Sequence, residues 1–336
     1  MTDESPHERE LGGQLLASVS RSFYLTLKAL PRELREPVSL AYLLARTADT
    51  LADTAAVPAA LRLECLREYG RRVSGGETEE SDLEGMIARE FVVRQSDAAE
   101  RRLMERFAEG LAWLGTIRGA PLVAIRQVLG HIICGQMLDI QRFPADGTLR
   151  CLGTEAELDE YTWLVAGCVG EFWTEMCATE KPGALDASVS LEQMKTWGAR
   201  LGRGLQLINI LRDLGEDVAE GRCYLPGVTA EAVRADSTAL RPAWTHWMQV
   251  CRTHLDAGLN YVQHVADGKL RYATTLPLLL GAKTIAKMQA ASWAEVMQGV
   301  KISRLDVAVT LAEAAVACRN AEAIASLYQR LLARKA

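Results

Sequence analysis

The 336-residue sequence is poor in the residues that build all-β proteins. It has only 10 prolines, and aromatic residues make up 6% of it, whereas β-sandwiches and barrels need many turn residues and β-branched runs. It also lacks a basic excess, because 38 Lys and Arg stand against 43 Asp and Glu, a net charge of −5. Such a chain has little with which to neutralise a phosphate backbone, so we expect no nucleic-acid partner.

Further absences concern location. The polar, acidic start predicts that the chain carries no secretory signal. No uninterrupted apolar run approaches the ~18 residues of a membrane span; the best, residues 164–173, is broken by Glu171. The eight cysteines show no paired spacing and are predicted to be reduced, buried thiols. Together these features predict a cytoplasmic protein without a transmembrane segment.

What the sequence does contain is helical periodicity, almost throughout, with no alternating stretch long enough to indicate a sheet. Possible capping boxes mark helix starts at Ser81, Thr154 and Ser190. Apolar residues make up 49% of the chain, enough for a continuous core, and no break is long enough to be a linker. The pattern predicts one all-helical domain over residues 1–336, with helices at roughly 10–29, 33–55, 59–74, 82–95, 97–116, 120–142, 155–178, 191–219, 230–236, 240–266, 270–298 and 303–333.

Two of these helices are strongly apolar yet carry carboxylates on one face. Asp49 and Asp53 are four residues apart, so their side chains project from the same side of a helix, one turn apart. Burying two like charges is costly unless a cation compensates. Arg46, one turn before Asp49, is a candidate partner for that carboxylate.

The second acidic helix repeats the pattern with Asn209, Asp213 and Asp217 at i, i+4 and i+8, and with Gln206 and Glu216 nearby. If the two helices face each other, their oxygen ligands converge on a site for a hard divalent cation, Mg²⁺ above all. A solvated acidic face is the alternative for a single pair. Two such pairs on apolar helices, each beside an arginine, favour the metal site.

At this point the residues resemble the squalene/phytoene synthases, head-to-head prenyl diphosphate synthases of the all-α isoprenoid fold, and most of all a bacterial squalene synthase. The resemblance runs from Ser20 to about Arg304 and is carried by residues 20–23, 42–53, 135–139, 161–170, 206–226 and 301–304. It implies a helical bundle around a central cavity. One departure is Ala52, where squalene synthases often carry an additional acidic residue, and this leaves the number of metal ions open.

The resemblance also implies roles for charged and polar residues. Mg²⁺ would be held by Asp49, Asp53, Asn209, Asp213 and Asp217. Diphosphate would be bound, partly by serines at a helix start, through Ser20, Arg21, Ser22, Arg46, Gln206, Arg222, Lys301 and Arg304. Arg46 and Arg212 either act on the diphosphate as catalytic groups or only orient the aspartates.

Other implied roles concern the hydrocarbon part of the substrate. Tyr161 matches a family tyrosine that assists proton removal during cyclopropane formation; its alternative role is a buried hydrogen bond. The prenyl pocket would be lined by Phe23, Tyr42, Leu164, Val165, Gly167, Val169 and Leu205, most of which are equally compatible with ordinary core packing. Gly167 and Gly170 either leave room for a prenyl chain or allow close helix packing.

We expect a squalene synthase that joins two farnesyl diphosphates through presqualene diphosphate and uses Mg²⁺ and NADPH. The alternatives are a phytoene or dehydrosqualene synthase without NADPH, an enzyme that stops at presqualene diphosphate for later hopanoid steps, and a catalytically silent scaffold. The retained Asp pairs and Tyr161 argue against the scaffold. The sequence assigns neither NADPH contacts nor an oligomeric state. Its basic C-terminal helix either contacts the inner face of a membrane peripherally or packs on the domain.

Overall fold

The computed structural model describes residues 11–20, 23–76 and 82–333. Within these ranges nearly all regular structure is helical, and the two strands have two residues each. The predicted all-α class is therefore confirmed. The described residues form two compact units, one from residues 1–144 and 179–181, the other from residues 145–178 and 182–336. The expectation of a single domain over the whole chain stays a prediction.

The first unit is built around the long helix α3. This helix packs against α4, α7 and α8, and α4 also packs against α8. The helices of this unit are α1 (Leu16–Ser20), α2 (Phe23–Ala29), α3 (Arg32–Asp53), α4 (Ala59–Ser74), α5 (Leu83–Met86), α6 (Ala98–Glu105), α7 (Phe107–Leu114) and α8 (Gly119–Arg142), with π-helices at Leu11–Leu15 and Ile87–Phe91 and a 3₁₀ turn at Val92–Arg94.

The second unit is built around α11, which packs along α14 and against a π-helical segment. Its elements are β1 (Arg150–Cys151), α9 (Glu155–Thr162), a π-helix (Trp163–Gly167), α10 (Cys168–Glu180), α11 (Leu191–Arg212), α12 (Leu214–Ala219), β2 (Arg222–Cys223), α13 (Ala230–Ala235), a 3₁₀ turn (Ser237–Leu240), α14 (Arg241–Gln263), α15 (Gly268–Ala290), α16 (Trp293–Gln298), α17 (Arg304–Ala317) and α18 (Ala321–Ala333).

Two of the three predicted helix starts are confirmed. Thr154 and Glu157 form a complete capping box, in which the Thr154 backbone N–H donates to Glu157 at 2.9 Å. Ser190 accepts the backbone N–H three residues later at 3.2 Å. Ser81 lies outside the described residues, and the helix that follows it is capped by Asp82. Side-chain oxygens at these positions satisfy backbone donors that have no partner in the first turn of a helix.

Four predicted helices are each divided in two. Arg106 (φ −113°, ψ 12°) separates α6 from α7, and Asp213 (φ −95°, ψ 11°) separates α11 from α12. Ser292 starts α16 with a capping box, and Asn320 accepts the backbone N–H of residue 322 at 2.7 Å where α18 begins. Periodicity misses such breaks because the apolar spacing continues across them.

The two short strands were not predicted, because two residues are too few to show alternation. They pair in parallel, with Arg150 opposite Arg222 and Cys151 opposite Cys223. Backbone hydrogen bonds of 3.0 Å on either side of the pair hold it in register. β2 thereby fixes the segment that follows α12.

Helix α10 packs closely on α11 through glycine. A Cβ atom on Gly170 would lie 1.9 Å from the carbonyl oxygen of Gly198, so only glycine allows this approach of the two backbones. Close packing is thus the role that the structure gives Gly170. Gly167 faces the side chains of Trp163 and Arg203.

Among the described residues, one helix is long and apolar enough to cross a membrane by length and composition, α8, with a mean hydropathy of 1.2 over a window that is 44% buried. Arg126 and His131 interrupt its apolar residues, so it did not stand out as a continuous run. Core helices can have the same length and composition. All eight cysteines are free thiols, but Cys134 is exposed and Cys151 partly exposed, so the prediction of buried thiols is wrong for these two.

Candidate active site

The first acidic pair lies in the last turns of α3, on either side of residues 50–52, which are buried. Asp53 is the final residue of the helix, and Asp49 lies one turn before it. Carboxylates at this end meet the negative pole of the helix dipole. Asp49 and Asp53 therefore destabilise the helix at this position, and the C-terminal end of α3 attracts cations. Ala52, the departure from the family pattern, is buried in the same turn.

Arg46 joins two carboxylates in this region. One terminal nitrogen pairs with Asp49, as the sequence predicts, and the other pairs with Glu100 of α6. Gln136 of α8 donates its Nε2 to Oδ1 of Asp49 at 3.0 Å. The Nε of Arg46 is buried and has no hydrogen-bond partner among the described residues. Residues of α3 and α8 thus bind the Asp49 carboxylate, α6 holds Arg46 through Glu100, and the Nε donor of Arg46 stays unused.

Burial and charge act in opposite directions on the Asp49–Arg46 pair. Desolvation raises the pKa of Asp49, although the charge of Arg46 and hydrogen bonds from Arg46 and Gln136 oppose that rise. Desolvation lowers the pKa of Arg46, but the charges of Asp49 and Glu100 outweigh it and leave that pKa raised. The Asp49 side chain is 32% exposed. Arg46 therefore opposes the rise in the pKa of Asp49 that burial causes.

The second acidic set begins at the end of α11. Asn209 is exposed in the last turn and donates Nδ2 to Oε1 of half-buried Gln206 at 3.4 Å. Asp213 is the C-cap residue. Arg212 donates two hydrogen bonds to its carboxylate, from Nε at 2.8 Å and from Nη2 at 2.5 Å. The hydrogen bonds to Asp213 raise the pKa of Arg212 despite its burial. As on α3, carboxylate and amide oxygens collect at the negative end of a 22-residue helix.

Asp217 continues this set on α12. Backbone hydrogen bonds of 2.9 Å from residue 213 to 209 and 3.0 Å from residue 217 to 213 cross the break, so the predicted i, i+4, i+8 spacing persists. Gly215 lets α12 lie against α16, because a Cβ there would be 1.9 Å from the carbonyl oxygen of Met297. Arg222 of β2 binds Asp217 at 2.9 Å and Glu220 at 2.7 Å. Desolvation lowers the pKa of Arg222, but nearby negative groups raise it by more.

Tyr161 lies at the end of α9, just before the π-helical segment. Its ring is buried and stacks on Tyr224, with centroids 5.0 Å apart and an interplanar angle of 19°. Tyr224 follows β2 directly, two residues after Arg222. One short strand therefore connects three predicted site residues, Asp217, Arg222 and Tyr161. Single-turn π-helices of this kind are frequent beside functional sites.

The chemistry of both acidic sets fits Mg²⁺, because each side chain predicted to bind the ion offers a carboxylate or amide oxygen as ligand. Within the described ranges, no three His, Cys, Asp or Glu side chains form a ready metal cluster. Mg²⁺ typically binds through one or two carboxylates and completes its shell with water and substrate phosphate. Each set would thus hold an ion with the help of water or a phosphorylated ligand.

Several predicted diphosphate contacts have a different local setting from the one expected. Ser20 is the last described residue of α1 and not the first residue of a helix, and its buried hydroxyl donates to the carbonyl of Leu16 at 2.6 Å, so the helix-start argument is wrong for this residue. Arg21 and Ser22 lie outside the described residues. Lys301 and Arg304 are exposed, on the loop before α17 and at its first residue. Their role as phosphate ligands stays a prediction.

The predicted prenyl-pocket residues divide between the two units. In the second, the π-helix carries Leu164, Val165 and Gly167, while Val169 lies on α10 and Leu205 on α11. In the first, Phe23 begins α2. Tyr42 lies on α3 and its hydroxyl donates to the carbonyl of Val19 at 3.4 Å. Their contact with a prenyl chain stays a prediction.

Four residues of these networks have no role in the sequence analysis: Glu100, Gln136, Glu220 and Tyr224. The last three lie inside the segments that carry the family resemblance, and that position was the one signal the sequence offered. Glu100 is 54 residues from Arg46 in the sequence, and no sequence pattern predicts that they pair, because only the packing of α6 near α3 brings them together.

Comparison with known proteins gives this site its context. A model of the squalene/phytoene synthase family matches residues 16–306. The chain belongs to this family, whose members are prenyltransferases.

Named relatives include two kinds of synthase. The chain is 27% identical to a squalene synthase of Eremothecium gossypii over 75% of its own length and 54% of that protein. It is 31% identical to a 15-cis-phytoene synthase of Synechocystis over 77% of its own length and 68% of that protein. The chain spans about half the length of the fungal squalene synthases that it matches.

The fold agrees with this family. A solved structure of TcSQS in complex with the ligand E5700 superposes with a TM-score of 0.74 and 21% identity, over 94% of this chain and 87% of that one. The predicted all-α isoprenoid synthase fold is thereby confirmed.

Replacing Arg46 with Met tests the charge balance at the end of α3. The variant leaves Asp49 and Glu100 without their shared cation, and we expect a loss of about 1–3 kcal/mol near neutral pH, less than for a fully buried pair. Without Arg46 the pKa of Asp49 rises further, so the native state takes up a proton more readily than the unfolded state. The loss should therefore be largest above the raised pKa and shrink as the pH falls through it.

Urea unfolding between about pH 4 and 8 measures this effect. Arg89→Met is the matched control, because the Arg89–Asp82 pair is 62% and 66% exposed and should matter little at any pH. An Arg46→Met deficit that stays constant across the pH range would contradict the account.

Proposed function

We propose that the chain is a squalene synthase. Two molecules of farnesyl diphosphate are joined head to head, with loss of one diphosphate and one proton, to give the cyclopropane presqualene diphosphate. Loss of the second diphosphate, rearrangement of the carbocation and addition of a hydride then give squalene. NADPH, when bound, supplies that hydride.

The observation that carries the proposal is the composition of the two helix ends. Each apolar helix ends in carboxylates held by an arginine, Asp49 by Arg46 and Asp213 by Arg212. Oxygen ligands and guanidinium groups together are what a magnesium diphosphate requires, because the ion binds carboxylates and arginine binds phosphate oxygens in a planar fork. A purely structural ion pair has no need to lie at the end where the helix dipole opposes the carboxylate.

Asp49, Asp53, Asn209, Asp213 and Asp217 would hold Mg²⁺. When bound, the ion neutralises diphosphate charge and makes the group easier to expel. Departure of the diphosphate develops negative charge on its oxygens, and guanidinium groups already in place stabilise that charge without reorganisation.

Arginines supply these guanidinium groups in each acidic set. Arg46 has an unused Nε donor, and Arg222 binds Asp217 at 2.9 Å. The same arginines pair with the carboxylates before substrate arrives. We assign Arg46, Arg212 and Arg222 to diphosphate binding.

Tyr161 is the residue to which we assign proton removal. A free phenol, with a pKa near 10, is a weak base. A diphosphate oxygen nearby can take the phenolic proton while Oη accepts one from the substrate, so no free phenolate is required. The stack on Tyr224 restricts the Tyr161 ring to one orientation.

The apolar residues around Tyr161 would protect the carbocation from water. Leu164 is buried, and Val165, Val169 and Leu205 are half-buried beside it on the π-helix, α10 and α11. Aliphatic side chains offer no nucleophile, and aromatic faces stabilise positive charge.

Squalene is favoured as product by the likeness of residues 165–173 and 46–50 to squalene synthases. Phytoene synthase is the second candidate, favoured by the similarity to the cyanobacterial 15-cis-phytoene synthase. The two reactions use the same ionisation chemistry. They differ in substrate length and in whether a hydride or a proton loss ends the reaction.

Product analysis by gas chromatography and mass spectrometry tests the proposal. The purified chain is incubated with Mg²⁺ and farnesyl diphosphate, with and without NADPH, and separately with geranylgeranyl diphosphate. We expect squalene only with NADPH, and presqualene diphosphate or dehydrosqualene in its absence.

Other products would assign the chain differently. Phytoene from the longer substrate, unaffected by NADPH, would make it a phytoene synthase. Presqualene diphosphate as the end product under all conditions would show that the chain performs only the first step. Absence of any product would favour a silent scaffold.

Tyr161→Phe tests the assigned proton transfer. Removal of Oη should lower kcat about a hundredfold, within the usual range for general acid–base groups, while KM stays near the wild-type value. Steady-state kinetics with farnesyl diphosphate measure both. Tyr69→Phe is the control, because Tyr69 is buried in the core of the first unit and its hydroxyl donates to the carbonyl of Leu44 at 3.0 Å. An unchanged kcat for Tyr161→Phe would reduce the residue to packing.

A further inference from the structure

Helix α17 exposes an apolar stripe. Between residues 305 and 316 every exposed side chain on this helix is aliphatic: Leu305, Ala308, Val309, Ala312, Ala315 and Val316. The spacing of three or four residues places all six on one face, about 17 Å long. Leu305 and Val316 are 72% and 68% exposed. The opposite face packs against α15 and α18.

The last helix, α18, is different. The sequence made it a candidate for membrane contact, but its apolar residues Ile324, Leu327, Tyr328 and Leu331 are at most 2% exposed. This side of the helix packs against α14, α15 and α17. The apolar face of α18 is therefore used inside the protein, and that of α17 is left outside.

The exposed charged residues that directly flank the stripe are basic. Both acidic residues of α17 are paired with cations of neighbouring helices, Asp306 with Lys283 at 2.9 Å and Glu313 with Arg330 at 3.1 Å. At the two ends of the stripe stand exposed basic residues, Lys301 and Arg304 before it and Arg319 after it.

These charges argue against a second copy of the chain as the occupant. Two identical stripes in contact would bring basic ends together in either direction, which is repulsive. Protein interfaces are also enriched in aromatic anchors, and the stripe has none. An anionic lipid surface offers complementary charge to both ends and an apolar layer to the middle.

We propose that the α17 stripe docks this protein on an anionic lipid bilayer. The physiological reason rests on the proposed function, since a squalene-type product is insoluble in water and must enter a membrane. The six side chains are small and aliphatic, so binding is reversible and depends on anionic lipid as well as on apolar contact.

The test uses the full chain and vesicles of phosphatidylcholine, with and without phosphatidylglycerol, in a flotation assay. Wild-type protein should bind the anionic vesicles and release them as salt is raised. Leu305→Glu combined with Val316→Glu removes two exposed aliphatic groups and should weaken binding at least about tenfold. No substrate is present, so the result is independent of the product assay.

The matched control is Val93→Glu combined with Val123→Glu. These two valines are 65% and 66% exposed in the first unit, so the pair adds the same charge and removes a similar amount of exposed aliphatic surface without touching α17. The control should bind vesicles like wild type. Leu305→Ser with Val316→Ser, which adds no charge, should also weaken binding, and unchanged melting temperatures should accompany all variants.

Three outcomes would overturn the proposal. One is equal vesicle binding by the stripe variant and the control. Another is absence of binding by the wild-type protein. The third is a wild-type dimer by light scattering that the stripe variant converts to a monomer, which would make the stripe a contact between two copies.

Discussion

The structure depends on the placement of carboxylates at the negative ends of two apolar helices. The dipole of α3 and the mutual repulsion of Asp49 and Asp53 oppose this placement, as does the burial of Asp49, and the dipole of α11 opposes Asp213 at its C-cap. Arginines make it possible by standing within hydrogen-bond distance of the carboxylates. An arginine that neutralises a carboxylate can also bind phosphate. The arginines that allow the carboxylates to lie at these helix ends are therefore also components of a diphosphate site.

The supporting residues extend this arrangement in each unit. On α3, Glu100 and Gln136 fix the positions of Arg46 and Asp49 from two other helices. In the second unit, β2 does the equivalent work, because its backbone pairing with β1 sets both Arg222 against Asp217 and Tyr224 against Tyr161. Side chains held from several directions lose little further freedom on binding a ligand, which favours a preorganised site.

The sequence predicts the all-α class and the acidic stripes because both follow from local spacing. The Arg46–Asp49 pair lies within one helical turn, and the Thr154 capping box within the first turn of one helix. Both could therefore be predicted from the sequence. Glu100 and the Tyr161–Tyr224 stack depend on tertiary packing and were not. The sequence predicts Ser20 at a helix start, but its hydroxyl donates to the carbonyl of Leu16 within α1. Sequence patterns do not distinguish a serine at a helix start from one that bonds to its own helix. The same limit explains α17 and α18, since both are amphipathic and only packing decides which face stays exposed.

The central claim is that the acidic helix ends bind diphosphate together with Mg²⁺. The most direct test adds inorganic pyrophosphate to the protein and measures its thermal unfolding with and without Mg²⁺. The account predicts stabilisation only when both are present, about 2–3 kcal/mol at a hundredfold excess over Kd. Asp49→Asn and Asp213→Asn should each reduce it while the melting temperature without ligand stays near wild type, and Asp82→Asn, at an exposed helix cap, should keep it. Stabilisation that needs no Mg²⁺, or that survives in both acidic-site variants, would contradict the account.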